Sequence, residues 1–152
     1  MKKIVILGST GSIGVNALDI VRRFPKEFNV VGLAAGSNHA LFAKQIKEFR
    51  PQVAALFDKK AFVLLAKKVG TQTASGKRTE LLSGADGVIE LARLASADLV
   101  LSAIVGAAGL LPTLAAISAN KTVALANKET MVVAGEIMQS AALAHKVTIL
   151  PI

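Results

Sequence analysis

The sequence contains no cysteine, no tryptophan and no tyrosine in its 152 residues. The lack of cysteine excludes disulfides, zinc–thiolate sites and a cysteine nucleophile, and it is compatible with a reducing, cytoplasmic location. The two histidines, His39 and His145, are far apart and lack metal-ligand spacing. We therefore expect each of them to be a solvated helix residue, and we predict no metal ligand in the chain.

Acidic residues are also scarce: the sequence has 10 Asp and Glu and 18 Lys and Arg, which gives a net charge of +8. The basic residues are spread in pairs and do not alternate with the six Phe, so stacking platforms for nucleic-acid bases are missing. The charge predicts a diffuse positive field that attracts small anions rather than a nucleic-acid partner. The basic pairs are Lys2-Lys3, Arg22-Arg23, Lys59-Lys60, Lys67-Lys68 and Lys77-Arg78.

One uncharged segment of 22 residues, from Leu99 to Asn120, is long enough to span a bilayer. Because Gly106, Gly109 and Pro112 interrupt it, a buried strand, a glycine turn and a helix explain it better. The apolar run Ile4–Leu7 near the amino terminus is too short for a signal peptide. We therefore expect neither a membrane segment nor secretion.

Strand-like apolar runs alternate with segments of helical periodicity along the chain. This alternation predicts one domain over residues 1–152, with an α/β fold of the doubly wound, Rossmann type: a mainly parallel sheet with helices on both faces. The stretch from Gly70 to Gly84 is the least regular. The predicted strands are Ile4–Leu7, Phe28–Ala34, Val53–Leu56, Thr79–Leu82, Asp98–Ile104, Lys121–Ala126 and Val147–Leu150. The predicted helices are Ser12–Phe24, His39–Phe49, Lys59–Lys68, Ala85–Leu94, Leu110–Ser118 and Thr130–Ala144.

A glycine-rich turn follows the first predicted strand, with Gly8, Gly11 and Gly14 spaced three residues apart. Glycine allows a tight turn and lets a pyrophosphate approach the backbone, and the N–H groups of the following helix favour an anion. Hydroxyl groups of Ser9, Thr10 and Ser12 are additional candidate donors, and Ile13 completes the segment. The turn predicts a dinucleotide site; the alternative is a purely structural glycine turn. The spacing does not fit a Walker loop.

The coenzyme type is indicated by the end of the second predicted strand, where Gly36, Ser37 and Asn38 follow Ala35. An NAD enzyme usually has Asp or Glu here to bind the ribose 2′-hydroxyl group. Small polar residues leave room for a 2′-phosphate, so NADP(H) is favoured over NAD(H). Ser37 and Asn38 also suit the start of the next helix as a cap.

A third polar segment, Asn127-Lys128-Glu129, lies between a predicted strand and a helix. Asn127 suits a helix cap and Glu129 the positive end of the helix dipole, whereas Lys128 is mildly unfavourable there. An anionic partner is one reason for a cation at this place; a solvated lysine is the alternative.

The remaining chemistry is narrowed by absent residues, since short-chain dehydrogenases need a catalytic Tyr, and semialdehyde and glyceraldehyde-phosphate dehydrogenases need a Cys. The motifs that are present resemble the amino-terminal domain of the 1-deoxy-D-xylulose 5-phosphate reductoisomerase family. They appear in the same order over the whole chain. The motifs are Ile6 to Gly14, Ala35 to Asn38, Ala103 to Leu110 with Pro112 and Thr113, and Leu125 to Glu129.

This resemblance implies an oxidoreductase and isomerase of non-mevalonate isoprenoid biosynthesis. The family rearranges 1-deoxy-D-xylulose 5-phosphate and reduces it with NADPH to 2-C-methyl-D-erythritol 4-phosphate, with a divalent metal, Mg or Mn; it is homodimeric. By the same resemblance, the coenzyme contacts would be made by Thr10, Gly11, Ser12, Ile13, Gly36, Ser37, Asn38, Asn127 and Glu129, and the substrate contact by Lys128.

The sequence departs from the family at Ser37, where Lys or Arg is frequent, so the affinity for a 2′-phosphate would rest on other groups. The family's metal-binding Asp-Ser-Glu triplet and carboxy-terminal domain do not occur in the sequence. We therefore expect a truncated protein or an excised domain, without catalytic residues of its own, that binds coenzyme but does not turn over substrate. A stand-alone NADP-sensing or interaction module is the alternative.

Overall fold

A computed structural model describes residues 1–69 and 77–152. Within these residues, seven strands form one parallel sheet in the order β4-β3-β2-β1-β5-β6-β7. The strands are β1 (Lys2–Leu7), β2 (Phe28–Ala35), β3 (Val53–Leu56), β4 (Glu80–Ser83), β5 (Leu99–Ser102), β6 (Thr122–Leu125) and β7 (Ile149–Pro151). The helices are α1 (Ser12–Arg23), α2 (His39–Phe49), α3 (Lys59–Val69), α4 (Gly84–Ala92), α5 (Leu110–Ser118) and α6 (Lys128–His145).

Helices cover both faces of the sheet, which confirms the predicted doubly wound fold. Alternate residues of β1 enter opposite hydrophobic cores: Ile4 and Ile6 pack with α1, α2 and α3, whereas Val5 and Leu7 pack with α4, α5 and α6. This two-residue period is the geometry of a strand that is buried on both faces. In the described part of the chain, no helix has the length and apolar character that a membrane crossing requires.

The boundaries differ from the predictions where local hydrogen bonds extend or end an element. Helix α6 begins at Lys128, two residues before the predicted Thr130. Strand β7 begins at Ile149 instead of Val147, because Lys146 adopts a left-handed conformation and the Val147 amide donates to the Ala142 carbonyl, 2.9 Å away. This is a helix C-terminal motif, and it keeps Val147 and the residue after it out of β7.

Both histidines lie on helices, as predicted, but only one of them is solvated. His145 is exposed, and its Nδ1 lies 3.1 Å from Asn120 Oδ1. His39 is half-buried at the start of α2, and its Nδ1 is buried without a hydrogen-bond partner among the described residues. The stretch from Gly70 to Gly84 was expected to be irregular. Its first part, positions 70–76, lies outside the described residues.

The order of the strands determines where a ligand is expected. Strand β1 lies in the middle of the sheet, between β2 and β5. Strands β2 to β4 are added on one side of it, and strands β5 to β7 on the other. Ligands of doubly wound sheets bind in the crevice at the carboxyl ends of the strands, at this reversal of direction. The turns after β1, β2 and β6 carry the predicted site residues and lie at this edge.

Candidate functional site

The turn between β1 and α1 is fixed by backbone hydrogen bonds to the neighbouring strand. The amides of Gly8 and Ser9 both donate to the Ala34 carbonyl, at 2.8 and 2.9 Å, and the Gly11 amide donates to the Gly8 carbonyl at 3.2 Å. Gly8 has a φ of 91°, a conformation that side-chain-bearing residues rarely adopt. The shape of the turn is therefore held by contacts within the protein.

The three glycines of this turn serve different purposes. A Cβ atom on Gly8 would lie 2.6 Å from the Ala103 carbonyl oxygen, and one on Gly14 would lie 2.2 Å from the Gly8 carbonyl oxygen. Both glycines are therefore required by the fold. A Cβ atom on Gly11 would meet only the Gly8 carbonyl oxygen at 3.5 Å, an ordinary contact. Gly11 is exposed, and the absence of a side chain there leaves its backbone accessible from the crevice.

Several amide groups of the turn are free for a ligand. In residues 1–69 and 77–152, the amides of Thr10, Ser12 and Ile13 donate to no protein acceptor, and the helical bonding begins with the Val15 amide on the Gly11 carbonyl at 2.9 Å. Such N–H groups at the start of a helix, together with the helix dipole, attract anions. The turn thus offers a row of uncharged donors.

Ser9 does not contribute a hydroxyl donor, so that expectation was wrong. Its side chain is fully buried, and its Oγ donates to Gln45 Oε1 at 2.7 Å. The Gln45 Nε2 donates in return to the Ser9 carbonyl oxygen at 2.9 Å. The hydroxyl groups of Thr10 and Ser12 remain accessible, since Thr10 is half-buried and Ser12 is exposed.

The segment after β2 is open to solvent. Gly36, Ser37 and Asn38 are all exposed, and a Cβ atom on Gly36 would have no neighbour within 4 Å. The Asn38 side chain accepts from the Leu41 amide at 3.2 Å, so its predicted capping of α2 is confirmed. The Gly36 carbonyl accepts from the Asp58 amide at 3.0 Å, which attaches this segment to the end of β3.

The Asn127 side chain ties the start of α6 to the loop that follows β5. Its Oδ1 accepts from the amides of Glu129 and Thr130 at 2.9 and 3.4 Å, which confirms the predicted cap. Its Nδ2 donates to the carbonyls of Ile104 and Gly106 at 2.7 and 3.0 Å. Both amide hydrogens of Asn127 are therefore used within the protein.

Lys128 and Glu129 are exposed at the first two positions of α6. The Glu129 carboxylate lies near Gly106, with its Oε2 at 3.8 Å from the place of a Cβ atom there. Neither residue has an ion-pair partner among the described residues within 4.0 Å. Both residues line a cleft beside the start of α6.

Two adjoining clefts connect the predicted segments. The larger has a volume of about 390 Å³ and includes Gly8, Thr10, Gly11 and Gly36 in its wall. The smaller, of about 270 Å³, is lined by Ile13, Asn127, Lys128 and Glu129, and the loop Ala103–Val105 borders both. The predicted residues that line neither cleft are Ser9, Ser12, Gly14, Ser37 and Asn38.

The apolar wall of the larger cleft was not predicted as part of the site. It comes from Phe57 after β3, from α4, and from the loop and helix after β5; these residues are Phe57, Ala85, Val88, Ile89, Val105, Ala107, Ala108, Leu111 and Pro112. Gly106 and Gly109, placed directly after a buried strand, are a signal that could have indicated the β5 loop. The α4 residues carry no such signal, because they look like ordinary core residues.

Comparison with known proteins assigns this architecture to a family. The family model described as 1-deoxy-D-xylulose 5-phosphate reductoisomerase matches residues 4–135. The chain belongs to the 1-deoxy-D-xylulose 5-phosphate reductoisomerase family. It is 51% identical to the reductoisomerase of Thermodesulfovibrio yellowstonii and 49% identical to that of Chlorobium phaeobacteroides strain BS1, over all of its 152 residues. It spans 38% of the length of each of these relatives.

Solved reductoisomerases have the same fold over 99% of the chain. One is the enzyme from Zymomonas mobilis in complex with NADPH, with a TM-score of 0.90, 38% identity and 38% of that chain covered. Another is a DOX-P reductoisomerase in complex with NADPH, fosmidomycin and magnesium, with a TM-score of 0.91, 40% identity and 36% covered. Homoserine dehydrogenase from S. aureus, at 16% identity and a TM-score of 0.56, shares the fold alone.

The described residues do not fit a metal centre. Across residues 1–69 and 77–152, no three His, Asp or Glu side chains come close enough together to hold a metal ion.

Proposed function

We propose that this chain is the NADPH-binding domain of a 1-deoxy-D-xylulose 5-phosphate reductoisomerase. The observation that carries the proposal is the row of unpaired amides around Gly11, beside two adjoining clefts, one lined by Gly36 and the other by Glu129. A dinucleotide has two linked phosphates in the middle and a ring system at each end, and it matches this arrangement. The solved relatives that bind NADPH support the choice of ligand.

The pyrophosphate would lie on the amides of Thr10, Ser12 and Ile13, where Gly11 allows close approach. The adenosine half would occupy the larger cleft, with its 2′-phosphate at Gly36, Ser37 and Asn38. No acidic side chain follows β2 in this segment to repel that phosphate. The apolar wall beyond Gly36 suits the flat face of an adenine.

The nicotinamide half would enter the smaller cleft, beside Ile13, Asn127 and Glu129. Since the Asn127 side chain is fully engaged with the protein, we expect its backbone to make any contact with the coenzyme. Lys128 is exposed beside the same cleft, where its ammonium group would bind the phosphorylated substrate. NADPH supplies a hydride when bound; the residues of this chain bind and orient it.

The activity proposed for the whole protein is the rearrangement and NADPH-dependent reduction of 1-deoxy-D-xylulose 5-phosphate to 2-C-methyl-D-erythritol 4-phosphate. It would require a divalent metal, Mg or Mn. Because the described residues bring no metal ligands together, we propose that this chain binds coenzyme without turning over substrate. Turnover by this chain alone would contradict that statement.

Isothermal titration calorimetry with NADPH and NADH tests the proposal. We expect heat of binding and thermal stabilisation with NADPH, and weaker binding of NADH, which lacks the 2′-phosphate. A Lys128→Gln variant should bind NADPH as the wild type does. No heat and no stabilisation at saturating NADPH would refute coenzyme binding, whereas equal affinities for NADPH and NADH would refute only the assignment of the 2′-phosphate site.

We further propose a cytoplasmic protein that forms homodimers as part of the full-length family enzyme, without a membrane or nucleic-acid partner. The absence of cysteine is compatible with the cytoplasmic location, and the scattered basic pairs support the exclusion of a nucleic-acid partner. Light scattering after size-exclusion chromatography tests the homodimer. A salt-dependent mobility shift with DNA would contradict the exclusion of nucleic acid.

A further inference from the structure

We propose that Gln45 is a positioning residue for the phosphate-binding turn, because it holds the Ser9–Thr10 peptide with its N–H group directed at the cleft. Gln45 lies on α2, far in sequence from the turn, and is only 3% exposed. Its side-chain amide makes two short hydrogen bonds to Ser9, one to the hydroxyl group and one to the carbonyl oxygen, at 2.7 and 2.9 Å.

The orientation of the peptide follows from its planarity. None of the described peptide bonds is cis, and in a planar trans peptide the C=O and N–H groups point in opposite directions. The Ser9 carbonyl points into the protein, towards Gln45 Nε2. The Thr10 N–H group must therefore point the other way, and it has no acceptor among the described residues. Thr10 lines the larger cleft, so its amide faces the space proposed for the pyrophosphate.

No other side chain in the described residues holds this peptide. The amides of Gly8 and Ser9 are bound to the Ala34 carbonyl, and the Gly11 amide closes the turn on the Gly8 carbonyl. A turn closed in this way can adopt either orientation of its central peptide, which here is the peptide after Ser9. If it rotated, the Ser9 carbonyl oxygen would face an anionic ligand and repel it. The bond from Gln45 opposes this rotation, because breaking it would leave a buried amide hydrogen unpaired.

Gln45 also connects the turn to the proposed 2′-phosphate segment. Asn38 caps α2, and Gln45 follows it by seven residues on the same helix, about 10 Å along the axis. The two phosphate-binding segments are therefore joined through one rigid element. This part of the inference rests on the proposed coenzyme function, whereas the orientation of the peptide does not.

A Gln45→Met variant tests the role, since methionine is unbranched and of similar size but donates no hydrogen bond. The probes are NADPH and adenosine 2′-monophosphate, which has the 2′-phosphate but no pyrophosphate. We expect NADPH affinity to fall about tenfold or more and adenosine 2′-monophosphate affinity to change by less than about twofold. Equal loss for both probes, or unchanged NADPH affinity, would overturn the proposal.

Ile46→Val is the matched control, because Ile46 is the next residue on α2, is 2% exposed and belongs to the hydrophobic core. We expect it to lower stability without changing the affinity for either probe. A comparable loss of NADPH affinity in this variant would show that α2 packing, and not the Gln45 hydrogen bonds, is responsible.

Amide resonances provide two further readouts, one that does not depend on coenzyme and one that does not depend on a variant. In the free protein, Gln45→Met should shift or broaden the Thr10 and Gly11 amide signals more than Ile46→Val does; identical spectra would overturn the peptide orientation. In the wild type, bound NADPH should move the Thr10 amide proton downfield, and an unmoved signal at saturation would contradict the proposal. If wild-type protein binds no NADPH at all, the proposed function fails instead, and the free-protein comparison still decides the role of Gln45.

Discussion

Replacement of single glycines in the phosphate turn separates the fold from the ligand site. The relevant variants are Gly14→Ala and Gly11→Ala, which add the same methyl group three residues apart. At Gly14 the new Cβ atom would lie 2.2 Å from the Gly8 carbonyl oxygen and 2.6 Å from Ser9 Cα, and both neighbours are backbone atoms that cannot rotate away. At Gly11 the shortest contact would be 3.5 Å.

These distances translate into different stabilities. Overpacking of this kind costs about 1–3 kcal/mol, and the upper half of that range applies to Gly14 because α1 has to move away from the turn. For a chain of this size, we expect its melting temperature to fall by roughly 4–12 °C. At Gly11, alanine restricts the unfolded chain, which stabilises the folded protein by about 0.4–1 kcal/mol. Gly11 is also the N-cap of α1, where alanine is unfavourable, and this destabilises the protein by a similar amount.

Thermal unfolding followed by circular dichroism, together with calorimetry with NADPH, checks both expectations. Gly11→Ala should melt within about 4 °C of the wild type but bind NADPH at least about tenfold more weakly, because its methyl group occupies the approach to the free amides. A control is Gly135→Ala on α6, where a Cβ atom has no neighbour within 4 Å; it should leave binding unchanged. Wild-type affinity in Gly11→Ala, or wild-type stability in Gly14→Ala, would refute the division of roles.

Three further predictions concern other contacts. Asn127→Asp keeps the cap of α6 but sets a carboxylate oxygen against two carbonyls, so urea titration should show a loss of about 1–3 kcal/mol. Phe57→Ala should weaken NADPH binding by about 1 kcal/mol or more in calorimetry if the half-exposed ring stacks on adenine, and equal affinity would contradict stacking. Arg22, 2.5 Å from Glu48, lowers the pKa of that carboxyl below its ordinary value of 4.5. The stability that this ion pair contributes is therefore present at neutral pH and lost as the pH falls through that lowered pKa. It should not exceed about 1 kcal/mol, because the pair is exposed. Glu48→Gln should abolish this part of the difference in urea midpoint between neutral and acidic pH.

The fold was predictable because its signals are local. Runs such as Val53 to Leu56 are apolar at every position, which indicates a strand with both faces buried, and α2 has the predicted bounds His39–Phe49. The caps Asn38 and Asn127 could also be predicted from the sequence, since capping depends only on amides two or three residues further on.

The inner parts of the site were not predictable in this way. In the sequence, Ser9 has the properties of a ligand-binding hydroxyl residue in a turn. Only the fold shows that Gln45, 36 residues away, hydrogen-bonds both its hydroxyl and its carbonyl group. The cleft wall from Val88 and Ile89 has the same difficulty, because a helix residue that borders a cleft has the same periodicity as one that is fully buried.

The polarity of the turn follows from how its backbone groups are distributed. The carbonyls of Gly8, Ser9 and Gly11 all accept hydrogen bonds from within the protein, from the Gly11 amide, the Gln45 side chain and the Val15 amide. The amides of Thr10, Ser12 and Ile13 have no acceptor among the described residues, so the proposed anion site would be formed by a segment without any Lys or Arg. Because these donors are fixed dipoles, we expect their effect on an anion to depend on internal partners such as Gln45, which bonds the Ser9 carbonyl, and less on the surrounding positive charge.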